Sequence, residues 1–496
     1  MIEIAKRKPV LIILLCSLIV LAIMQPWSLY FLNDDFEHIP NNHLIVRNNF
    51  LRPVSNFFLV WDRALFDKVA TGYFLTTLVL HTFCAISIYY LCRQIFMHYA
   101  LGLPSHVALL TAIIFLFYPF HAEPLFWIIS RGSVIAALFT ILSLYYYFRK
   151  NEHFKYLMLS WIMFLVALFT YESIWTVLVF YCLITFLNIK KRLATKRQEY
   201  IHAGMFVITF ILYMFIRFIS LDTFTGGYSV IDSNISSILL LLTNLTKLVA
   251  RNFTPPFHST FFSIIFFSLS VIVYGAAILL MCKKNKAAGW LMITLCLGLI
   301  SGVITAAPLS IDTHGNESER FIYYSSFFFC FFLAIVTTLP GRKEWQYIIT
   351  GFVIVSGITG LIIYNANYRY TSTVTKTTLQ FVKKYPNYKN AYFIDVPGEY
   401  KGALLFRVCL PDAIRWIAPE CKYDSVTIIS KTESASGILP FETGEKTWEE
   451  LSREKNNEAQ SGVYALKDTL NRNILLNEND IVFWFTKKGL YRVNKP

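Results

Sequence analysis

Runs of about twenty apolar residues, the length that an α-helix needs to cross a bilayer, recur along the first 365 positions of this 496-residue chain. Charged residues make up only 15% of the chain, against roughly a quarter in soluble proteins. After position 365 no such run occurs. The pattern predicts a multi-pass integral membrane domain at 1–365 and a small separate domain at 366–496.

The apolar runs predict about eleven transmembrane helices. The first follows Lys6, Arg7 and Lys8 and has no small-residue cleavage site behind it, so we interpret it as an uncleaved helix. The stretch 235–253 is apolar but contains Asn244, Lys247 and Arg251, which favours an amphipathic helix in the outer interface. If it crossed the membrane instead, the C-terminal domain would lie in the cytoplasm. The eleven predicted spans are 10–32, 72–92, 105–120, 124–148, 155–171, 172–188, 201–219, 260–282, 287–307, 320–339 and 346–364.

Lys and Arg are distributed unequally between the two sides of these spans. With the N-terminus in the cytoplasm, the inner segments hold 17 of them and the outer loops 7. Basic residues concentrate in cytoplasmic loops of membrane proteins, so the count predicts a cytoplasmic N-terminus and an extracytoplasmic C-terminal domain. The formal charge of +14 therefore reflects topology and does not indicate nucleic-acid binding. Richness in Lys, Asn, Ile and Phe favours a bacterial inner (plasma) membrane protein.

The C-terminal domain has a mixed α/β pattern. Strands are predicted at 391–396, 425–430 and 480–485, with a turn at 397–398, a helix at 403–417 kinked at Pro411, and a polar loop at 431–462. Two cysteines, Cys409 and Cys421, fall in this domain. They could pair if the domain faces an oxidising compartment.

Ionisable side chains in the membrane domain gather at the predicted outer ends of the helices. Such groups are costly near a bilayer and usually functional, so the pattern predicts a water-accessible reaction site under the outer leaflet. Each has a simpler explanation: a helix cap for the acidic pair, a structural turn around His121, snorkelling or ion pairing for the arginines. The residues are Asp34, Asp35, Glu37, His38, Arg52, His121, Glu123, Arg131, Glu172, Arg217, His314, Glu317, Glu319 and Arg320.

Several of these residues match a family's motifs in order. The pair Asp34-Asp35 after the first helix resembles the GT-C glycosyltransferase superfamily, whose members use polyprenyl-phosphate-linked sugars. The series as a whole is similar to protein O-mannosyltransferase relatives, including the tetratricopeptide-bearing transmembrane ones. Thr77 and Tyr171 stand where the family usually has Asn and Lys, the His121 stretch is shortened, and no tetratricopeptide repeat is present. The later motifs are Arg52-Pro53, Thr77-x3-His81, His121-Ala-Glu123 with Arg131, Tyr171-Glu172 and Glu319-Arg320-Phe-Ile-Tyr323.

The resemblance implies an all-α, GT-C-like membrane fold and an inverting sugar transfer. The donor would be a polyprenyl-phosphate-linked sugar, and the acceptor a glycan, lipid or protein hydroxyl. Asp34 or Asp35 would be the general base, with Asp34 preferred because the family places the base first. No metal-ligand spacing indicates a metal, although Asp35, Glu123 and a phosphate could share a divalent ion. Arg320, Arg131 and Arg217 would bind the lipid phosphate; His121, Glu123, Arg52, His81, Glu172 and Glu319 would position the substrates.

Two other functions fit the same composition. A polysaccharide polymerase or ligase would also join lipid-linked glycans outside, and would favour a large outer loop late in the chain. A transporter of lipid-linked glycans would favour charges and Gly or Pro breaks at mid-helix depth. The charges lie at predicted helix ends instead, which favours sugar transfer.

Overall fold

The structure is a computed structural model of the chain. It describes residues 8–41, 45–47, 50–190, 195–224, 235–254, 260–307, 319–435, 438, 440–454, 466–467, 473–474 and 476–494.

The membrane domain is built from α-helices, and each of the eleven predicted spans contains one. Within the described residues, nine helices are long and apolar enough to cross a membrane, or ten if one bent pair is a single span. The chain is a multi-pass integral membrane protein. The helices are α1 (Pro9–Met24), α2 (Asp35–His38), α3 (Pro53–Phe66), α4 (Ala70–His98), α5 (Ser105–Leu116), α6 (Ala122–Phe126), α7 (Gly132–Phe148), α8 (Phe154–Leu168), α9 (Val177–Lys190), α10 (Lys196–Leu221), α11 (Ile235–Ala250), α12 (Thr260–Lys284), α13 (Lys286–Ile304), α14 (Glu319–Val336) and α15 (Lys343–Val382).

Short 3₁₀ segments interrupt the helices at Pro26–Ser28, Pro119–His121, Ile128–Arg131 and Glu172–Thr176. Helix α1 ends at Met24, so the predicted span 10–32 is too long. Gln25 adopts a left-handed conformation (φ 45°) and Pro26 follows it, a combination that stops an α-helix. Residues 29–34 are therefore free to form the turn that carries the acidic pair.

Helix α5 and the segment Pro119–Phe126 are bent by 56° relative to each other. The break falls just before Pro119, whose ring cannot occupy a helix interior. The bend turns His121 and Glu123 back towards the other helices. Elsewhere helices α13 and α14 approach each other closely. A Cβ atom added at Gly302 would lie only 2.7 Å from the Cβ of Ser325. Gly298 and Gly302 have the four-residue spacing typical of close membrane-helix contacts.

The C-terminal region contains a five-stranded and a three-stranded sheet. The first has the order β6-β3-β11-β12-β8, with only the β11–β12 pair antiparallel; the second has the order β5-β4-β7. Two antiparallel strand pairs, β1–β2 and β9–β10, lie outside these sheets. The elements are β1 (Val46–Arg47), β2 (Phe50–Leu51), β3 (Asn390–Ile394), β4 (Val396–Tyr400), β5 (Ala403–Leu404), α16 (Leu410–Ile417), β6 (Ser425–Ile428), β7 (Lys431–Ser434), β8 (Glu442–Thr447), α17 (Trp448–Glu454), β9 (Leu466–Lys467), β10 (Asn473–Ile474), β11 (Asp480–Phe485) and β12 (Gly489–Asn494).

Three sequence-based predictions for this region are wrong in detail. The predicted helix 403–417 begins as strand β5 and becomes helical only at Leu410, because Pro411 occupies its first turn, where proline is favoured. The predicted turn at 397–398 lies inside strand β4. The predicted loop 431–462 contains β7, β8 and α17, whose strands are polar and therefore lack the apolar alternation that indicates a strand.

Helix α15 joins the two parts of the molecule. It runs without interruption from Lys343 to Val382, through the predicted domain boundary at 365, which stays a prediction. Its second half meets the chain after α1, where the Tyr30 backbone N–H donates to Ser372 Oγ at 3.0 Å. Successive side chains of strand β11 point to opposite faces of the sheet. Phe483 and Phe485 belong to the hydrophobic core shared with the membrane helices, whereas Val482 and Trp484 belong to a separate cluster.

Candidate active site

The two carboxylates of the acidic pair have different environments. Asp35 is fully buried, and its carboxylate accepts hydrogen bonds from the backbone N–H groups of Leu32 (2.9 Å) and Ile129 (3.1 Å). It thereby ties the turn that follows the first helix to the 3₁₀ segment before α7. Asp34 is only partly buried and accepts a bond from Asn33 Nδ2 at 2.8 Å. Of the pair, Asp34 can meet a substrate, while Asp35 fixes the turn.

Burial and neighbouring charges act on the pKa of Asp34 in opposite directions. Removal from water raises it, and the guanidinium groups of Arg407 and Arg320 lower it. Burial also raises the pKa of Asp35, to about 8, although its two backbone donors favour the ionised form. A carboxylate with a raised pKa is a stronger base, which suits Asp34 to removing a proton from a hydroxyl group.

Glu123 and Arg320 join the bent segment to helix α14 beside this turn. Arg320 Nη1 lies 2.9 Å from Glu123 Oε1, and the Arg320 backbone N–H donates to Glu123 Oε2 at 3.0 Å. In return the Glu123 backbone N–H donates to Glu319 Oε2 at 2.9 Å. Each acid lies at a helix N-terminus, where negative charge is stabilised by the helix dipole. The guanidinium of Arg320 is held by Glu123, and the Arg320 side chain is 12% exposed.

Arg251 belongs to the same network, and the sequence analysis did not assign it a role there. Its Nη2 lies 2.9 Å from Glu319 Oε1, and its side chain is 3% exposed. The predicted amphipathic helix exists as α11, but its polar side chains Asn244 and Lys247 are buried. Asn244 Nδ2 donates to Ala307 O at 3.2 Å. The spacing 244, 247 and 251 placed these residues on one face; the structure turns that face inward.

Arg52, Glu172 and Arg217 form a second cluster. Arg52 Nε donates to Glu172 Oε2 at 2.9 Å, and the guanidinium lies 4.4 Å from the Tyr171 ring centre. Arg217 is 1% exposed and donates to Phe224 O at 2.9 Å; its charge acts on Glu172. Glu172 is thus ion-paired with Arg52. The sequence had suggested Arg131 and Arg217 as its partners; Arg131 pairs with Asp62 instead.

Three other predicted residues, Arg131, His81 and His121, are buried among helices. Arg131 pairs with Asp62, and neither side chain is more than 1% exposed. His81 Nδ1 lies 2.6 Å from Tyr323 Oη, and His121 Nε2 lies 2.6 Å from Ser326 Oγ. These contacts join α4 and the bent segment to α14. Donor binding by Arg131 and substrate positioning by the two histidines therefore stay predictions, and each side chain has a structural partner.

Two further predicted residues, His314 and Glu317, lie outside the described residues. Among the residues described, no group of three or more His, Cys, Asp or Glu side chains is arranged to hold a metal ion.

A loop of the C-terminal region, which we call the docking loop (residues 405–409), contacts the turn that carries Asp34. The Asn33 backbone N–H donates to Leu405 O at 3.0 Å, and the Val408 N–H donates to Asn33 Oδ1 at 3.2 Å. Cys409 Sγ lies 3.9 Å from Asp34 Oδ1, and nearby the rings of Phe31 and Trp416 are 4.9 Å apart. Cys409 and Cys421 are both free thiols, so the disulfide considered from the sequence is not formed.

Comparison with known proteins gives three similar solved structures. No protein-family model matches the chain, and no curated protein sequence matches it. The oligosaccharyltransferase of Archaeoglobus fulgidus, solved with a tethered acceptor peptide, is 11% identical to this chain with a TM-score of 0.46. The match covers 86% of this chain and 64% of the oligosaccharyltransferase chain, and the coverages below are given in the same order. The mycobacterial arabinofuranosyltransferase AftD is 9% identical with a TM-score of 0.45, covering 81% and 31%. ArnT from Cupriavidus metallidurans, bound to undecaprenyl phosphate, is 12% identical with a TM-score of 0.37, covering 84% and 86%.

This chain thus spans about two thirds of the first of these proteins and about a third of the second. At TM-scores below 0.5 the likenesses do not establish its family. Its function is a proposal that depends on its own residues.

Proposed function

We propose that this protein is a membrane glycosyltransferase that moves a sugar from a polyprenyl-phosphate carrier to an acceptor hydroxyl, with inversion at the anomeric carbon. The observation that carries the proposal is the arrangement around Asp34. A partly exposed carboxylate with a pKa raised by burial lies within electrostatic reach of the Arg320 guanidinium, on a turn that follows a membrane helix directly. The order of motifs from Asp34-Asp35 to Glu319-Arg320 gives independent support.

The reaction needs one base and one anion-binding group. The Asp34 carboxylate takes the proton from the acceptor hydroxyl as its oxygen attacks the anomeric carbon. The bond from that carbon to the phosphate oxygen breaks, and the electron pair leaves with the polyprenyl phosphate. A guanidinium would stabilise the negative charge that develops there, and we assign this role to Arg320. The hydrocarbon tail would lie against the apolar helices within the bilayer.

The positions of the other acids favour supporting roles. Glu123 and Glu319 are both 2% exposed or less, and each bonds to backbone and arginine groups. We propose that they hold Arg320 at the membrane surface. We further propose that this surface is extracytoplasmic, as the distribution of Lys and Arg predicts, and that the C-terminal region lies on the same side.

Profiling of cell-surface glycoconjugates tests the proposed function. Cells carrying Asp34→Asn should lack a glycan that cells with the wild-type protein make, because the amide cannot accept the hydroxyl proton. The matched control is Asp67→Asn, an exposed acid on the same connection between α1 and α4, which should leave the glycan unchanged. An unaltered glycan profile in cells that express the Asp34→Asn protein at the wild-type level would contradict the proposal.

A further inference from the structure

Asn33 anchors the docking loop to the proposed active site. It adopts a left-handed conformation (φ 43°), which asparagine tolerates better than most residues. Its backbone N–H and side-chain oxygen bond to opposite ends of the loop, at Leu405 and Val408, while its side-chain nitrogen donates to Asp34. One buried residue thus fixes the C-terminal loop and the carboxylate relative to each other.

Arg407 lies between the two points at which the loop is anchored. Its carbonyl oxygen accepts a bond from Lys431 Nζ at 2.7 Å, so its backbone is restrained from both sides. Its side chain is exposed. Of the positive charges that lower the pKa of Asp34, Arg407 has the largest effect and Arg320 the second largest. Two guanidinium groups, one from each part of the molecule, therefore lower the pKa of the same carboxylate.

Two arginines of the membrane domain, Arg131 and Arg251, differ from Arg407 in burial. Arg131 and Arg251 are 3% exposed or less, so neither side chain is open to a phosphate that arrives from the water. The exposed side chain of Arg407 can be reached from the water. Its planar array of N–H donors also matches two oxygens of a phosphate group better than an ammonium does.

We propose that Arg407 binds the phosphate of the lipid-linked donor together with Arg320, so that the C-terminal region supplies part of the active site. This inference rests on the proposed function. When the bond between the sugar and the phosphate breaks, the second guanidinium shares the negative charge left on the polyprenyl phosphate. The docking loop then has a role in the reaction as well as in holding the two parts of the molecule together.

Binding of a polyprenyl phosphate to the full-length protein in nanodiscs tests this assignment. Arg407→Ala should weaken binding on the order of ten-fold or more, as expected for losing charge-assisted hydrogen bonds. Arg407→Lys should recover part of the affinity, because the charge is kept but the paired donors are not. The matched control is Arg415→Ala on α16, which removes an exposed arginine of the same region, paired with Asp412, and should leave the affinity unchanged.

The pH dependence of transfer gives a second measurement that a purely structural role would not change. Asp34 must be ionised to act as a base, so activity falls as the pH drops through its pKa. Because the Arg407 charge lowers that pKa, Arg407→Ala should move the acidic limb of kcat/KM to higher pH, whereas Arg415→Ala should not.

The two proposals can fail separately. If Arg407→Ala and Arg407→Lys bind polyprenyl phosphate as tightly as Arg415→Ala does and keep the wild-type acidic limb, the assignment of Arg407 is wrong while sugar transfer stands. If the wild-type protein binds the phosphate through Arg407 but transfers no sugar, the anion site stands and the proposed function is wrong.

Discussion

Asp34→Asn should lower the rate of sugar transfer by about 10²–10⁴-fold, the usual contribution of a positioned general base, while the protein remains folded. Asn has nearly the same shape and can still accept the hydrogen bond from Asn33 Nδ2. The substitution therefore removes the base without opening a cavity. The measurement is kcat with a polyprenyl-phosphate-linked donor, with the thermal unfolding temperature of the purified protein as the check on folding.

Asp35→Asn is the informative comparison, because the neighbouring carboxylate has a different task. Each of its two oxygens accepts a hydrogen bond from one backbone N–H, of Leu32 or of Ile129. The single oxygen of an amide can accept only one of these bonds, and the amide NH₂ group then faces the second backbone N–H. A buried donor left without an acceptor costs about 1–3 kcal/mol, so this variant should be less stable than Asp34→Asn. Equal loss of transfer with equal loss of stability in the two variants would contradict the separate roles.

Asp62→Ala should destabilise the membrane domain by about 3–5 kcal/mol, the cost of leaving one charge of a buried ion pair without its partner. Arg131 is 1% exposed and cannot reach water without moving the helices around it. Its other bond goes to the carbonyl oxygen of Tyr73 at 3.2 Å, which does not neutralise the charge. The measurement is the free energy of unfolding in mixed detergent micelles.

Glu152→Ala provides the matched control. Glu152 pairs with Arg149 three residues away, and the two side chains are 43% and 25% exposed. Ion pairs in contact with water contribute roughly 0–1 kcal/mol, so the loss should be small. A double variant, Asp62→Ala with Arg131→Met, should recover part of the stability by removing the unpaired charge. If Asp62→Ala were no less stable than Glu152→Ala, the buried pair would not support the fold.

The helices of the membrane domain could be predicted because the bilayer imposes a length and an apolar composition on each span. The ends of the helices depend on local features that run lengths do not reveal. Gln25 and Pro26 end α1 eight residues before the predicted position, 32. Polar strands such as β8, which pairs with β12 at the edge of its sheet, have no periodic signal at all.

The candidate site could be predicted only in part, for a related reason. The sequence identified Asp34, Glu123 and Arg320 as members of ordered motifs, but it could not distinguish Asp34 from Asp35, because that difference arises from contacts with Ile129. Arg407 is far from Asp34 in the chain and lies in a region without a recognised motif. Asp62, on α3, likewise meets Arg131, in the 3₁₀ segment before α7, only through tertiary packing. Long-range packing, which single-sequence patterns do not encode, decides each of these cases.

Donor turnover by the purified protein tests the central claim most directly. The full-length chain in nanodiscs is incubated with polyprenyl phosphates that carry different labelled sugars, together with extracted acceptor glycans, lipids and proteins. Two quantities are then measured: the amount of free polyprenyl phosphate released and the anomeric configuration of the product. The proposed chemistry predicts that the wild-type protein releases polyprenyl phosphate and forms an inverted glycosidic bond with one donor, and that Asp34→Asn does so at least a hundred-fold more slowly. Equal release by the two proteins, or a product with retained configuration, would contradict it.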